Sequence, residues 1–132
     1  MDGMYVISYE DGAYGIRYFF QDGTFYIDAT RELNIGCYQI SDTAREDFKL
    51  WGFFIIEDNM VKIQCILQGS ANGYREYQVE ERWMKIIDDS TLQLIRKILP
   101  NGRVIHYEDN PLEHFHRCDN KPDSLNILMR LL

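Results

Sequence analysis

The sequence has little alanine and no long apolar run. Only four of its 132 residues are alanine, so the chain is poor in the best helix-forming residue. No apolar run approaches the ~20 residues that a membrane-spanning helix needs. The scarcity of alanine favours β structure, and the short apolar runs argue against membrane insertion.

Basic side chains are also scarce relative to acidic ones. There are 14 Lys and Arg against 21 Asp and Glu, which gives a formal net charge of −7. Nucleic-acid-binding surfaces need clustered Lys and Arg, so the balance argues against a nucleic-acid partner. The apolar share of 45% and the charged share of 27% are typical of a globular chain. A chain of this length predicts one domain, residues 1–132.

Cysteine is rare and its count is odd. Cys37, Cys65 and Cys118 cannot all pair within one chain, so a complete disulfide framework is excluded. We expect buried reduced thiols, although one bridge would also fit. The chain starts without a basic region followed by an apolar stretch, so no signal peptide is visible. As printed it is expected in the cytoplasm, whereas a trimmed leader would make it a secreted protein or lipoprotein.

Aromatic residues are abundant, with nine Tyr, seven Phe and two Trp, and such side chains favour strands. Asp-Gly and Asn-Gly pairs predict hairpin turns, because Gly and Asn accept positive φ angles. The turn signals are Asp11-Gly12, Asp22-Gly23, Asp58-Asn59, Asn72-Gly73, Asp88-Asp89, Asn101-Gly102 and Asn110-Pro111. The predicted strands between them are Met4–Tyr9, Tyr14–Gln21, Thr24–Ala29, Gly36–Ile40, Lys49–Ile56, Met60–Gln68, Arg75–Ile87, Thr91–Leu99, Arg103–Tyr107 and Glu113–Arg117.

Alternation along these segments predicts one packed face and one solvent-facing side per strand. In Met60–Gln68, for example, Val61, Ile63 and Cys65 share a face. Many short strands of this kind predict an all-β fold, an antiparallel up-and-down barrel of about eight to ten strands.

Two segments have helical patterns. Residues 42–48, within Ser41–Phe48, contain Thr43 and Glu46 at the spacing of a capping box. In Asp123–Leu132, apolar residues recur at helical spacing, which predicts a C-terminal helix, with a frayed or extended end as the alternative.

The aromatic residues supply the candidate ligand site. Pairs of aromatics share one face of a predicted strand, and a barrel interior is filled by side chains or holds one small ligand. The candidates for lining such a pocket are Tyr18, Phe20, Trp51, Phe53, Tyr77 and Trp83. The alternative is a solid aromatic core.

Charged residues also lie near these aromatics in the sequence. Arg82 and Lys85 flank Trp83, and either could direct a cation into a pocket or lie on a solvated face. Glu80 and Glu81 are adjacent, so they face opposite sides of a strand and cannot form an acid–base pair by themselves.

The histidines give little support for a metal site or a catalytic site. His114 and His116 alternate on one strand with Cys118, which makes them candidate metal ligands, but His114 and Cys118 would lie ~13 Å apart. Solvent-facing histidines need no metal, so we expect none, and we expect no other cofactor. A base among His106, His114 and His116 would be needed for catalysis, and no nucleophile motif accompanies them. We therefore expect no enzyme.

Several motifs occur in an ordered set between residues 14 and 125. Tyr18–Thr24 contains a D-G-T hairpin, followed by Gly52–Ile56 and the turn and strand Asp58–Ile63. Asp88–Leu94 reads D-D-S-T-L-Q-L, and the pieces His114-Phe115 and Lys121–Ser124 close the set. The set resembles the small bacterial lipocalin-like (calycin-type) β-barrel proteins. The N-terminal Gly-x-Trp motif of true lipocalins and the lipoprotein leader of many relatives are both missing.

The resemblance implies an up-and-down barrel of about eight strands and carries over no ligand residues. The expected function is non-catalytic binding of a small apolar ligand in an aromatic-lined barrel. The alternative is a protein-interaction module with a filled core, which would use the barrel surface and the apolar segment Leu125–Leu132 as a homo-oligomer or with a protein partner.

Overall fold

The computed structural model of the chain describes residues 3–33, 36–71, 74–126 and 128, with the side chains of 68–77 outside this description. Nine strands lie within these residues. They are β1 (Gly3–Ser8), β2 (Tyr14–Phe19), β3 (Thr24–Thr30), β4 (Trp51–Glu57), β5 (Met60–Ala71), β6 (Tyr74–Asp88), β7 (Thr91–Ile98), β8 (Val104–His106) and β9 (Leu112–Arg117). The helix α1 (Asp42–Arg45) and a 3-10 turn, Phe48–Leu50, interrupt them.

The predicted turns form for the local reasons read from the sequence. Gly23 and Gly102 have φ angles of 87° and 86°, a region that side chains with a Cβ rarely enter. Before each of them a short polar side chain closes the turn: Asp22 accepts from the Thr24 amide at 2.9 Å, and Asn101 accepts from the Arg103 amide at 2.9 Å. Asn72-Gly73 lies outside the described residues.

Eight of the strands form a closed antiparallel barrel. β1 to β7 pair with their neighbours in sequence, β7 pairs with β9, and β9 returns to β1. β8 is an additional short strand that pairs with the far end of β7. The predicted all-β barrel is confirmed. No helix in the described part of the chain is long and apolar enough to cross a bilayer.

Three local predictions need correction. The predicted strand Gly36–Ile40 has no strand structure. Its residues instead pack on the outside of β1 to β4, where Cys37 is bonded to Cys118. The helix is shorter than 42–48, and its N-cap is Ser41, which accepts from the Ala44 amide, so the capping box at Thr43 is wrong.

The C-terminal prediction is only partly covered. Residues 123–126 have no helical structure, and the rest of the predicted helix lies outside the described residues apart from Leu128. The segment from 121 to 126 is held against the barrel by polar contacts. Lys121 Nζ donates to the Phe19 carbonyl at 2.8 Å, Ser124 donates to Asp22 at 2.6 Å, and Arg45 pairs with Asp123 at 2.8 Å.

The sheet has two apolar clusters, one on each face. One cluster receives side chains from all eight barrel strands, so its face is the barrel interior; its members are Tyr5, Phe19, Phe25, Ile27, Phe54, Val61, Ile63, Cys65, Met84, Ile86, Leu92, Leu94 and Phe115. The other cluster lies on the outside of β1 to β4, where Leu33, residues 37–50, Cys118 and Leu128 cover the strands. We call this second cluster the outer layer.

A disulfide ties the outer layer together. Cys37 and Cys118 are bonded across a sequence separation of 81 residues. The expectation of three reduced thiols is therefore wrong for these two, while Cys65 is free and buried in the barrel.

Candidate functional site

The barrel interior is divided into two ends of different chemistry. At one end, aromatic rings fill the space: Phe19 lies 5.1 Å from Phe25 and 5.0 Å from Phe54, and Tyr5 lies 5.4 Å from Phe115, between ring centroids. Centroid separations of 4.5–7 Å are those of favourable aromatic pairs. This apolar end is packed with side chains.

At the other end, charged side chains project inward from four strands. Arg17 comes from β2, Arg82 from β6 and Lys97 from β7. Glu80 lies on β6 and Glu113 on β9. Arg17, Glu80 and Glu113 are 8%, 5% and 2% exposed, which is unusual for charged residues unless they are paired. We call these five side chains the charged end.

Arg17 and Glu113 form one ion pair across the barrel. Arg17 Nε lies 3.2 Å from Glu113 Oε1. The geometry of this contact is not that of a hydrogen bond, so Oε1 has no hydrogen-bond partner among the described residues. Arg17 also donates from Nη2 to the Tyr9 hydroxyl at 3.3 Å. Gly15 makes room for the guanidinium, because a Cβ there would lie 2.6 Å from Arg17 Nη1.

The second acid of the charged end is shared by two cations. Glu80 Oε1 accepts from Arg82 Nε at 2.9 Å and lies 3.7 Å from Lys97 Nζ. One carboxylate therefore serves two positive side chains.

A cavity of about 330 Å³ lies at the charged end. This volume falls at the lower bound of ligand sites, ~300–1,000 Å³. Its walls combine charged, polar and apolar side chains from opposite sides of the barrel. The lining residues are Ile7, Tyr9, Arg17, Ile27, Arg82, Leu94, Lys97, Asn110, Pro111 and Glu113.

Burial and charge act against each other on the ionisable groups here. Burial raises the pKa of the Glu113 carboxyl, and the lowering effect of Arg17 and Arg82 does not fully offset it. Burial lowers the pKa of the Arg82 guanidinium, but the groups around it outweigh this and raise it above its usual value. Arg82 therefore remains a cation, whereas Glu113 takes up a proton more readily than an exposed glutamate.

The free thiol of Cys65 lies deeper in the barrel, close to the same charges. Burial raises its pKa, and the nearby Arg82 opposes this only in part. A thiol with a raised pKa has little thiolate at neutral pH and is a weak nucleophile.

Five of the six predicted aromatic site residues lie on the outside of the barrel. Tyr18, Phe20 and Trp51 are buried in the outer layer, and Phe53 packs against it. None of these four lines the cavity at the charged end. The side chain of Tyr77 lies outside the description.

Trp83 also faces outward, away from the cavity. Its ring lies between two cations, with Lys62 Nζ 4.4 Å and Arg96 Cζ 4.2 Å from the centroid. Its indole donates to Glu81 at 3.1 Å. Of the two cations that flank Trp83 in the sequence, Arg82 points into the cavity and Lys85 is exposed.

The outer-layer aromatics have structural partners. The indole of Trp51 donates to the Ala44 carbonyl at 2.9 Å, and Tyr18 donates to the Tyr38 carbonyl at 2.6 Å. Tyr26 donates to Asp28, which also accepts from Tyr38 at 3.1 Å. Their polar atoms are engaged in fastening the covering segments to the sheet.

The histidines are separated from the interior. His106, His114 and His116 are all exposed, and Cys118 is in the disulfide. No group of three metal-ligating side chains occurs among the residues that the structure describes.

Sequence reasoning missed Arg17, Lys97 and Glu113. A signal for two of them was present, because each lies two positions from an inward aromatic: Arg17 from Phe19 and Glu113 from Phe115. Residues two apart on a strand face the same side.

Comparison of the chain with protein-family models, with curated proteins and with solved structures finds no match. The eight-stranded barrel agrees with the lipocalin-like expectation for the fold, and membership of that family stays a prediction from the sequence motifs.

Proposed function

We propose that this protein is a non-catalytic binding protein that holds one small molecule inside its barrel, at the charged end. The observation that supports this is the cavity of about 330 Å³, which is bordered by the buried pair of Arg17 and Glu113. Burying charged groups costs free energy, so their placement around a cavity suits recognition of a polar ligand better than stability.

The proposed site has a different lining from the aromatic pocket that the sequence predicts. An aromatic-lined pocket built from Tyr18, Phe20, Trp51 and Phe53 does not fit, because these side chains belong to the outer layer. The walls that fit a ligand combine the apolar side chains Ile7, Ile27 and Leu94 with charged groups. A few placed polar groups among apolar ones are typical of ligand sites.

Native mass spectrometry tests the proposal. The purified chain is incubated with a cellular small-molecule extract, and its native mass is compared with its denatured mass. We expect a mass excess that denaturation removes. A bare native mass both before and after incubation would contradict the proposal.

A matched pair of variants locates the bound molecule. Leu94→Trp places a large ring in the cavity wall, whereas Ile55→Trp places the same ring on β4, where the side chain is 51% exposed. We expect the first to lose the mass excess and the second to keep it. Retention in both would place the molecule elsewhere and refute the site.

The alternative function, a protein-interaction module, has one supporting observation. Leu125 is 62% exposed, as an apolar contact residue would be. Leu128, however, is buried in the chain's own outer layer. The same native mass measurement separates the two functions, because a complex of two chains would have twice the chain mass.

A further inference from the structure

The charges around the cavity do not balance. Among the described side chains, three cations (Arg17, Arg82 and Lys97) face two carboxylates, Glu80 and Glu113. We infer that the ligand is a short molecule that carries one negative charge and a hydrogen-bond donor, as a small hydroxy acid does. The inference rests on the proposed function and narrows it to a ligand class.

The negative charge of the ligand is inferred from the pairing of two carboxylates with three cations. Glu113 faces Arg17, and Glu80 lies between Arg82 and Lys97, which leaves one positive charge in excess. An uncompensated charge in a buried site is costly. A ligand with a single anionic group would complete the set, and Arg and Lys donate strong charge-assisted hydrogen bonds to carboxylates.

The short length follows from the packing of the opposite end. Phe25 and Ile63 are each 1% exposed, and Phe19 lies between Phe25 and Phe54. These side chains fill the barrel beyond the cavity, so a long acyl chain has no room. The volume of about 330 Å³ suits a molecule of metabolite size.

The hydrogen-bond donor follows from Glu113. Its side chain is 3% exposed, and its Oε1 has no hydrogen-bond partner among the described residues. Buried polar atoms are satisfied in the great majority of cases. Since Glu113 borders the cavity, a ligand hydroxyl can donate to this oxygen while the ligand's anionic group contacts the cations.

Three matched probes test the ligand class: 3-hydroxybutyrate, butyrate and 3-hydroxybutyramide. The second lacks the donor, and the third lacks the charge. Each is titrated into the full chain at neutral pH while backbone amide shifts are followed by NMR. We expect shifts at Arg17, Leu94 and Glu113, with binding strongest for 3-hydroxybutyrate, weaker for butyrate and weakest for the amide.

Two lysine variants supply the matched control. Lys97 and Lys62 have side chains that are 25% and 24% exposed, but Lys97 lines the cavity and Lys62 lies outside against Trp83. We expect Lys97→Met to weaken 3-hydroxybutyrate binding about tenfold, since a charge-assisted hydrogen bond is lost. Lys62→Met is expected to leave the affinity unchanged, and thermal unfolding of both variants confirms that they are folded.

Glu113→Gln gives the opposite expectation. It removes one negative charge while keeping an acceptor oxygen, so the affinity for butyrate should rise severalfold. An increase supports the charge count, and an unchanged or lower affinity overturns it.

The remaining outcomes separate the inference from the proposed function. If the amide binds as tightly as the acid, or if the two lysine variants weaken binding equally, the inference fails while binding in the barrel stands. If no probe shifts the cavity amides, the inference also fails. The proposed function is then judged by the native mass of Leu94→Trp against that of Ile55→Trp, which needs none of these probes.

Discussion

The outer layer and the charged end meet on β2, where each takes side chains from one face of the strand. On β2, Tyr18 points outward into the buried aromatic layer, and Arg17 points inward to Glu113. In the outer layer, the hydroxyl and indole groups described above have backbone or carboxylate partners. At the charged end, by contrast, a carboxylate oxygen is unsatisfied and the charges are uneven.

This difference indicates which of the two regions is the better candidate for a ligand site. The outer layer buries large rings and fastens the covering segments, which is what stability requires. The charged end has buried ionisable groups beside a cavity, and burying such groups lowers the stability of the fold. Buried polar groups that lower the stability of the fold are better indicators of a ligand site than aromatic residues that raise it.

The largest effect is expected from Trp51→Ala. The side chain is 1% exposed and its indole is hydrogen-bonded, so truncation should lower the free energy of unfolding by ~3–5 kcal/mol. Trp83→Ala is the matched change on the uncovered outer face and should cost only ~1–2 kcal/mol. Chemical denaturation measures both; equal losses would contradict a tightly packed outer layer.

Removing the disulfide should have the next largest effect. The double substitution Cys37→Ser with Cys118→Ser is expected to lower the free energy of unfolding by ~2–4 kcal/mol, because the bond restricts the unfolded chain. A reducing agent should lower the melting temperature of the wild type and leave that of the double variant unchanged. Thiol titration of the denatured, unreduced wild type should find only Cys65; three thiols would disprove the bond.

Two tyrosine substitutions test a single hydroxyl group in each region. Tyr26→Phe removes a buried donor to Asp28 and should cost ~1.5–3 kcal/mol. Tyr9→Phe removes a hydroxyl beside Arg17 on a side chain that is 43% exposed, and should cost less than ~1 kcal/mol. Thermal and chemical unfolding of the two variants measure the difference, and a larger loss for Tyr9→Phe would reverse the assignment.

The smallest expected effect is a pH dependence from Glu113. Its pKa is raised from the ordinary value of 4.5, so the folded chain binds this proton more tightly than the unfolded chain. The stability that it contributes is fully present below about pH 4.5 and is lost as the pH rises through the raised value. The charged and titratable groups that line the cavity with Glu113 are Arg17, Arg82, Lys97 and Tyr9. Glu80 lies beside them, paired with Arg82 and Lys97.

Glu113→Gln isolates this contribution. The melting temperature of the variant minus that of the wild type should become more positive as the pH rises from about 4 to 8. A difference that stays constant, or falls, over this range would show that burial does not raise the pKa of Glu113.

The strands and turns could be predicted because their causes are local. Asp22-Gly23 and Asn101-Gly102 specify hairpins by their own backbone preferences, and Val61, Ile63 and Cys65 alternate because β5 is buried mainly on one face. On β1 to β4 both faces are buried, so alternation cannot identify the inward one. The sequence pattern alone therefore favours Tyr18 and Phe20 as inward residues, whereas Arg17 and Phe19 face inward in the structure.

The features of the structure that the sequence does not predict arise from contacts between residues far apart in sequence. The bond between Cys37 and Cys118 depends on the covering segment reaching the end of β9. The shared pairing of Glu80 with Lys97 depends on the register of β6 and β7. Neither the disulfide nor the register is encoded in a local pattern.

The pairing of β1 with β9 has a consequence for synthesis of the protein. A ribosome makes β1 (Gly3–Ser8) well before β9 (Leu112–Arg117), the strand that completes its hydrogen bonds. A ribosome adds about 5–20 residues per second, so β1 has an open side for several seconds on every nascent chain. We expect barrel closure, and the link between Cys37 and Cys118, to wait for the synthesis of β9 and Cys118. Until then, the exposed edge of β1 is where we expect nascent chains to be most prone to aggregate or to recruit chaperones.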